Sequence, residues 1–142
     1  VIATAVALPR NSTIVFDASV VVEMLLNSNA GKHAMARLIA ADAELHAPEL
    51  LDVEVLHVLR HLVRQGAMTE PRADEARVLL DALPLTRHRH AALTHRCWQL
   101  RANLSAYDAT YIALAEGLGA SLLTRDARLA RTLGVATPIE VV

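Results

Sequence analysis

Apolar positions along the chain switch between two periods. Thr13-Ile14-Val15-Phe16 is a short β-branched and aromatic run without polar alternation, as expected of a strand buried on both faces of a parallel sheet. From Ala18 to Leu26 the apolar residues fall at helical spacing, and Asn27-Ser28-Asn29 breaks that helix. A second helix is predicted from Gly31 to about Ala43, with Met35, Leu38 and Ile39 on one side. Glu44–Ala47 reads as a brief strand. Pro48 then suits the first turn of a long helix ending at Gln65-Gly66. Thr69 caps a further helix running to about Ala82, and Leu83–Thr86 is a short strand or connector. A helix is expected from His90 to Asn103, with Leu93, Cys97 and Leu100 along it. Leu104–Arg131 then forms one unit: a helix opening near Ser105, a turn at Gly117-Leu118-Gly119, the strand Ser121–Thr124, and a helix start at Asp126. Pro138–Val141 closes the pattern as an edge strand. Short apolar strands alternating with helices imply a mostly parallel sheet covered on both faces.

With 142 residues the chain is most simply one domain. Residues 1–12 read as an N-terminal extension, and residues 13–142 as the domain itself. The opening VIATAVALP lacks the basic flank of a signal peptide, and no apolar run reaches the roughly 18–20 residues of a membrane span. A soluble, cytoplasmic protein with no membrane partner is the expectation. One cysteine, Cys97, excludes an intramolecular disulfide. The net charge of −1 supplies no global basic field for nucleic acid. Of the 14 basic residues only Lys32 is lysine, which permits phosphate recognition without arguing for it.

The acids carry more information. Asp17 ends the first strand and Asp126 follows the last central one, so both belong at the carboxyl edge of the sheet, where open parallel sheets bind ligands. Asp108 opens a helix whose far end feeds the Asp126 strand, which returns its start to the same edge. Taken singly, each acid is explained by helix capping, and Ser105–Asp108 fits a capping box. Glu54 is not: it lies in the middle of the 48–65 helix, at the rim of the stripe Leu51, Val55, Val58, Leu59 and Leu62. A carboxylate there is either solvated or partly buried and in need of a counter-charge. If Glu54 joins the other three, the cluster needs cations, and oxygen donors select a hard one, Mg²⁺ or Mn²⁺.

The strand-plus-acid Phe16-Asp17-Ala18-Ser19, the PELLDVEVLHVL helix with Glu54, the YDATYIALA start with Asp108 and LLTRDARL with Asp126 together resemble the four motifs of the PIN domain. More narrowly they resemble the VapC-type toxins of VapBC toxin–antitoxin systems. The resemblance implies a PIN-like Rossmannoid three-layer α/β/α sandwich with a central, mostly parallel sheet of 4–5 strands. It implies a metal-dependent endoribonuclease (a hydrolase) in which Asp17, Glu54, Asp108 and Asp126 are the catalytic acids and hold one or two Mg²⁺ or Mn²⁺ ions. Ser19 and Thr124 match supporting hydroxyls. Phosphodiester cleavage by a metal-activated water follows from such a site. The implied partners are structured transfer or ribosomal RNA, a VapB-type antitoxin and a second copy of the chain in a homodimer. Asp17 lies about a dozen residues later than is usual in the family, and His57 stands where many relatives carry Asn.

Other signals are weaker. Arg125 is the best-placed cation for a flanking phosphate, and Arg87, Arg89, Arg96 and Arg101 could form a phosphate face, although a solvated surface is the default. His57 and His61 lack a third zinc ligand, and His88, His90, His95 and Cys97 match no zinc spacing. Tyr107 reads as packing rather than a base-stacking platform. A phosphoacceptor receiver domain would need an acidic neighbour for Asp17 and a lysine near the last strands, and neither is present. A non-catalytic PIN-like module binding RNA or protein predicts a broken acidic set, whereas all four acids stand.

Overall fold

The computed structural model describes residues 12–142. All but the last residue of the expected N-terminal extension therefore lies outside the described residues; Ser12 itself opens the first strand. Five strands form one sheet: β1 (Ser12–Phe16), β2 (Ala43–Pro48), β3 (Leu85–His88), β4 (Ser121–Thr124) and β5 (Ile139–Val141). Their order is β3-β2-β1-β4-β5, and every pairing is parallel. The expected edge strand at the C-terminus is β5.

The helices are α1 (Ala18–Leu25), α2 (Asn29–Ala41), α3 (Leu50–Arg64), α4 (Glu70–Ala82), α5 (Thr94–Gln99) and α6 (Ala106–Leu118), with a 3₁₀ turn at Leu129–Arg131. The chain steps outward from β1 through β2 to β3, crossing by α1–α2 and then α3–α4. It then returns past β1 to β4 through α5–α6. With right-handed crossovers this reversal puts α1–α4 on one face and α5–α6 on the other, as the packing of α1 on α2, α3 and α4, and of α5 on α6, bears out. The result is a three-layer α/β/α sandwich. Val15, Phe16, Leu122 and Leu123 on the two central strands are fully buried, together with Val20, Val21, Leu51, Val55 and Ile112 from the helices.

Three boundaries differ from the expectation. Pro48 is the last residue of β2 and not the first turn of the long helix, which begins at Leu50. A proline fits there because the neighbouring strand β3 ends level with it, at His88. The helix expected over 90–103 shrinks to the six residues of α5, none of them buried. Too little apolar surface faces the core to extend it. No α-helix opens at Asp126: a turn leads there to the 3₁₀ segment.

α2 approaches α1 at Gly31. A Cβ on Gly31 would lie 2.2 Å from the Glu23 carbonyl oxygen and 2.4 Å from its carbon, both backbone atoms that cannot rotate away. Gly31→Ala should therefore destabilise the protein by about 1–3 kcal/mol, read as a lower urea midpoint at unchanged slope.

Candidate active site

The sheet reverses its strand order between β1 and β4, and the crevice beyond the carboxyl ends of those strands is where α/β folds place their ligands. Asp17 follows the last residue of β1 there and Thr124 ends β4. The Asp17 backbone N–H donates to the Leu123 carbonyl at 3.1 Å, so the ladder runs up to the acid itself. Its carboxylate caps α1, accepting from the Val20 N–H at 3.2 Å. Ser19 Oγ donates to Oδ1 at 2.5 Å and Thr124 Oγ1 donates to Oδ2 at 2.5 Å. Each hydroxyl also accepts a backbone N–H from the turn after β4: Ser19 from Arg125 and Thr124 from Asp126, both at 3.0 Å. The two hydroxyls thereby fasten the β1 acid to the β4 turn. Capping and site geometry are the same feature at Asp17.

Glu54 lies one turn into α3, on the α1–α4 face. The start of that helix is tied to the end of β3. The Glu49 N–H donates to the His88 carbonyl at 2.9 Å, and the Leu50 N–H donates to His90 Nε2 at 2.9 Å. Asp52 accepts a two-pronged bond from Arg87, at 2.7 and 2.9 Å. Asp108 stands in the first turn of α6 on the opposite face, and its N–H donates to the capping hydroxyl of Ser105 at 3.1 Å. The sheet edge thus receives one acid from each layer.

These acids act on one another. Burial pushes the Asp17 carboxyl up, against the three donors around it, and the Asp108 charge adds to the rise. Burial, then Asp108 and Asp17, push Glu54 up to about 7. Asp108 is raised by burial and by Asp126, with Ser105 and Arg128 opposing. Asp126 is the exception. It accepts from Arg128 Nε at 3.0 Å and Nη2 at 2.8 Å, and from the Arg128 backbone N–H at 2.9 Å, which together hold it below the ordinary carboxylate range. It sits on a surface turn and caps no helix.

The donor set suits a hard cation. All four groups are carboxylates, the Asp108 charge raises both Asp17 and Glu54, and Glu54 Oε1 is buried without a hydrogen-bond partner. As placed, the acids face one another without closing: among the described residues, no three His, Cys, Asp or Glu side chains converge tightly enough to ligate a common ion.

Several expectations change here. Arg125 is turned away from the acids, its Nη1 donating to the Val142 carbonyl at 2.8 Å. Arg128, which sequence reasoning passed over, is the cation at the site. The expected phosphate face is largely engaged elsewhere: Arg87 with Asp52, Arg96 with Glu116 at 2.7 and 3.1 Å, and Arg101 over the Trp98 ring at 4.6 Å. His88 stacks on His46, a residue the histidine count had not joined to it, with 2.8 Å between His46 Nδ1 and His88 Nε2. Tyr107 is exposed rather than packed, and with Leu50, Val53, Glu54, His57, Val58 and Asp108 it lines a cavity of about 460 Å³ beside two of the acids.

A parallel sandwich of this order with acids at its switch point defines the Rossmann-like class of doubly wound α/β domain. This chain belongs to the PIN domain family, whose pattern matches residues 14–134. It is 41% identical over 129 residues to a VapC ribonuclease of Mycobacterium bovis, covering 91% of this chain and 98% of the relative. It is also 42% identical over 135 residues to ribonuclease VapC1 of Mycobacterium tuberculosis, covering 90% and 96%. Among solved structures, the fold matches PAE2754 of Pyrobaculum aerophilum with a TM-score of 0.66 at 19% identity, over 92% of this chain and 84% of that one. It also matches the sarcin-ricin-loop-cleaving toxin VapC20 of M. tuberculosis with a TM-score of 0.62 at 17% identity, over 87% and 96%.

The shifts have a consequence for the metal-free protein. A raised folded-state pKa means that the folded chain holds the Glu54 proton more tightly than the unfolded chain does. The associated stability is present below the ordinary value of 4.5 and is lost as pH climbs through about 7. His88, lowered by burial and by His46, works in the opposite direction below its ordinary value of 6.5. Glu54→Gln isolates the acid: in EDTA, the variant should gain melting temperature over wild type on going from pH 5 to pH 8. An equal pH dependence in both proteins would contradict the raised Glu54.

Proposed function

We propose that the chain is a Mg²⁺- or Mn²⁺-dependent endoribonuclease of the VapC toxin type, cleaving RNA phosphodiester bonds. The observation that supports this reading is that Asp17, Glu54 and Asp108, one from each layer, stand near enough to one another at the switch point of a PIN-domain sheet for the Asp108 charge to raise both of the others. Relatives at 41–42% identity over nearly their whole length bear the name ribonuclease, which supports the same activity here.

Asp17, Glu54, Asp108 and Asp126 would hold the ion. A bound divalent ion supplies Lewis acidity, activates water near neutral pH and neutralises charge on the scissile phosphate. The chain's own residues do the rest. Ser19 and Thr124 fix both oxygens of Asp17, so its orientation is set before any ligand arrives. Glu54 and Asp108 come from opposite layers and line the same cavity. Arg128, its guanidinium exposed beside Asp126, is placed to pair with a phosphate flanking the cut. The cavity lined by Tyr107, Val53 and His57 adjoins Glu54 and Asp108, leaving room for a base beside the backbone.

The partners follow from this reading: a structured RNA substrate such as transfer or ribosomal RNA, a VapB-type antitoxin, and a second copy of the chain. The fold neighbours include a VapBC2 complex of Rickettsia felis, with a TM-score of 0.66 at 12% identity, which illustrates an antitoxin partner for that protein. Among the described residues no helix is long and apolar enough to cross a membrane, and we place the activity in the cytoplasm. A non-catalytic binding module gains nothing from four intact acids.

The test is cleavage of structured RNA by the purified chain. Mg²⁺ or Mn²⁺ should support cleavage and EDTA should abolish it. Asp108→Asn should lower the rate on the order of 100-fold or more, equivalent to ~2.7 kcal/mol of barrier. Cleavage that survives both EDTA and Asp108→Asn rejects the mechanism.

A further inference from the structure

Two buried polar atoms in the described structure belong to neighbouring side chains, and neither has a partner. One is Glu54 Oε1 and the other is the Tyr111 hydroxyl. Tyr111 is only 1% exposed. It lies three residues after Asp108 on α6, hence on the same side of that helix. From there its ring passes through the core toward the end of β1. Its hydroxyl comes beside both the Glu54 carboxylate and the Ala18 backbone N–H, though it meets hydrogen-bond geometry with neither. A phenol buried at this depth normally finds an acceptor, and each unpaired buried group costs about 1–3 kcal/mol. Phenylalanine would pack the same ring without that cost. The hydroxyl therefore calls for an explanation outside the packing of the core.

We infer that Tyr111 is a positioning residue for the metal site, its hydroxyl donating to Glu54 Oε1 when the other Glu54 oxygen engages a divalent cation. The inference rests on the reading of the acids as a metal site and adds a residue to it. The chemistry favours the pairing. Tyr111 is a neutral donor, since a phenol keeps its proton near neutral pH. Glu54 is the one acid among the three raised ones with a buried carboxylate oxygen that meets no donor. Asp17 has Ser19, Thr124 and the Val20 N–H, and Asp108 has Ser105 beside it. A carboxylate that ligates through one oxygen needs the other oriented, and a donor from the surrounding protein usually does this. Because Tyr111 and Asp108 share a helix, the same hydroxyl also sets the distance between the α3 and α6 acids.

The experiment uses Mn²⁺ alone, without RNA, titrated into the metal-free full chain and followed by electron paramagnetic resonance, with melting temperature measured in EDTA. Tyr111→Phe should weaken Mn²⁺ binding about 10-fold or more while the metal-free melting temperature holds or rises. In a Glu54→Gln background, Tyr111→Phe should change Mn²⁺ affinity little further, since the two groups act as a pair. Unchanged Mn²⁺ affinity in Tyr111→Phe, when wild type binds the ion, overturns the positioning role alone. An equal loss in both backgrounds, or a fall in melting temperature with affinity intact, overturns it too and assigns the hydroxyl to the core. Wild-type protein that binds no Mn²⁺ overturns the metal site and this role together.

Discussion

Two hydroxyl groups hold the centre of this molecule. Ser19 and Thr124 each donate to one oxygen of Asp17 and each accept a backbone N–H from the turn after β4. Hydrogen bonds to a charged carboxylate contribute about 1.5–3 kcal/mol apiece, yet burial still wins at Asp17 and its pKa rises. The site is therefore electrostatically tense even where it is best satisfied. That tension is what a cation would relieve, and it is concentrated where the strand order reverses.

The surrounding structure can be understood as support for that point. Arg87–Asp52 and the His90 contact to the Leu50 N–H fix the entry of α3 and hence the direction of Glu54. Ser105 fixes the entry of α6 and hence Asp108. Arg96 joins α5 to α6 through Glu116, which also accepts the Ala136 N–H, so the short α5 is held by an ion pair where it lacks buried residues. Asp126 alone stands on a turn, with an exposed arginine as its partner.

Much of this was legible in the sequence. A β-branched and aromatic run located β1 and a short apolar run located β4, and an acid immediately after β1 or two residues after the end of β4 had to fall at the carboxyl edge. Glu54 stood out because a mid-helix acid has no capping role. The misreadings share a cause: they concern groups whose environment is set by distant segments. Pro48 was assigned to the helix because its local signal suits either a strand end or a first turn, and only the β2–β3 register decides between them. The 90–103 segment carried helical spacing but little of it meets the core. Arg125 and Arg128 are equally cationic in sequence, and the path of the turn alone sends one to Val142 and the other to Asp126. Tyr111 carried no signal in the sequence, because the lack of a partner for its hydroxyl is a property of three dimensions.

The bond between Thr124 and Asp17 joins residues 107 positions apart. The two central strands lie far apart in sequence, and parallel pairing over such a separation forms late in folding, after much loop-closure entropy has been lost. During synthesis β1 must wait for almost every other element before β4 emerges beside it. A growing or truncated chain thus presents Asp17 without its hydroxyl from β4 and without the turn that carries Asp126. The order of assembly therefore decides when the acids share an edge: Asp17 gains its full set of hydroxyl donors only once β4 and the turn after it have been made.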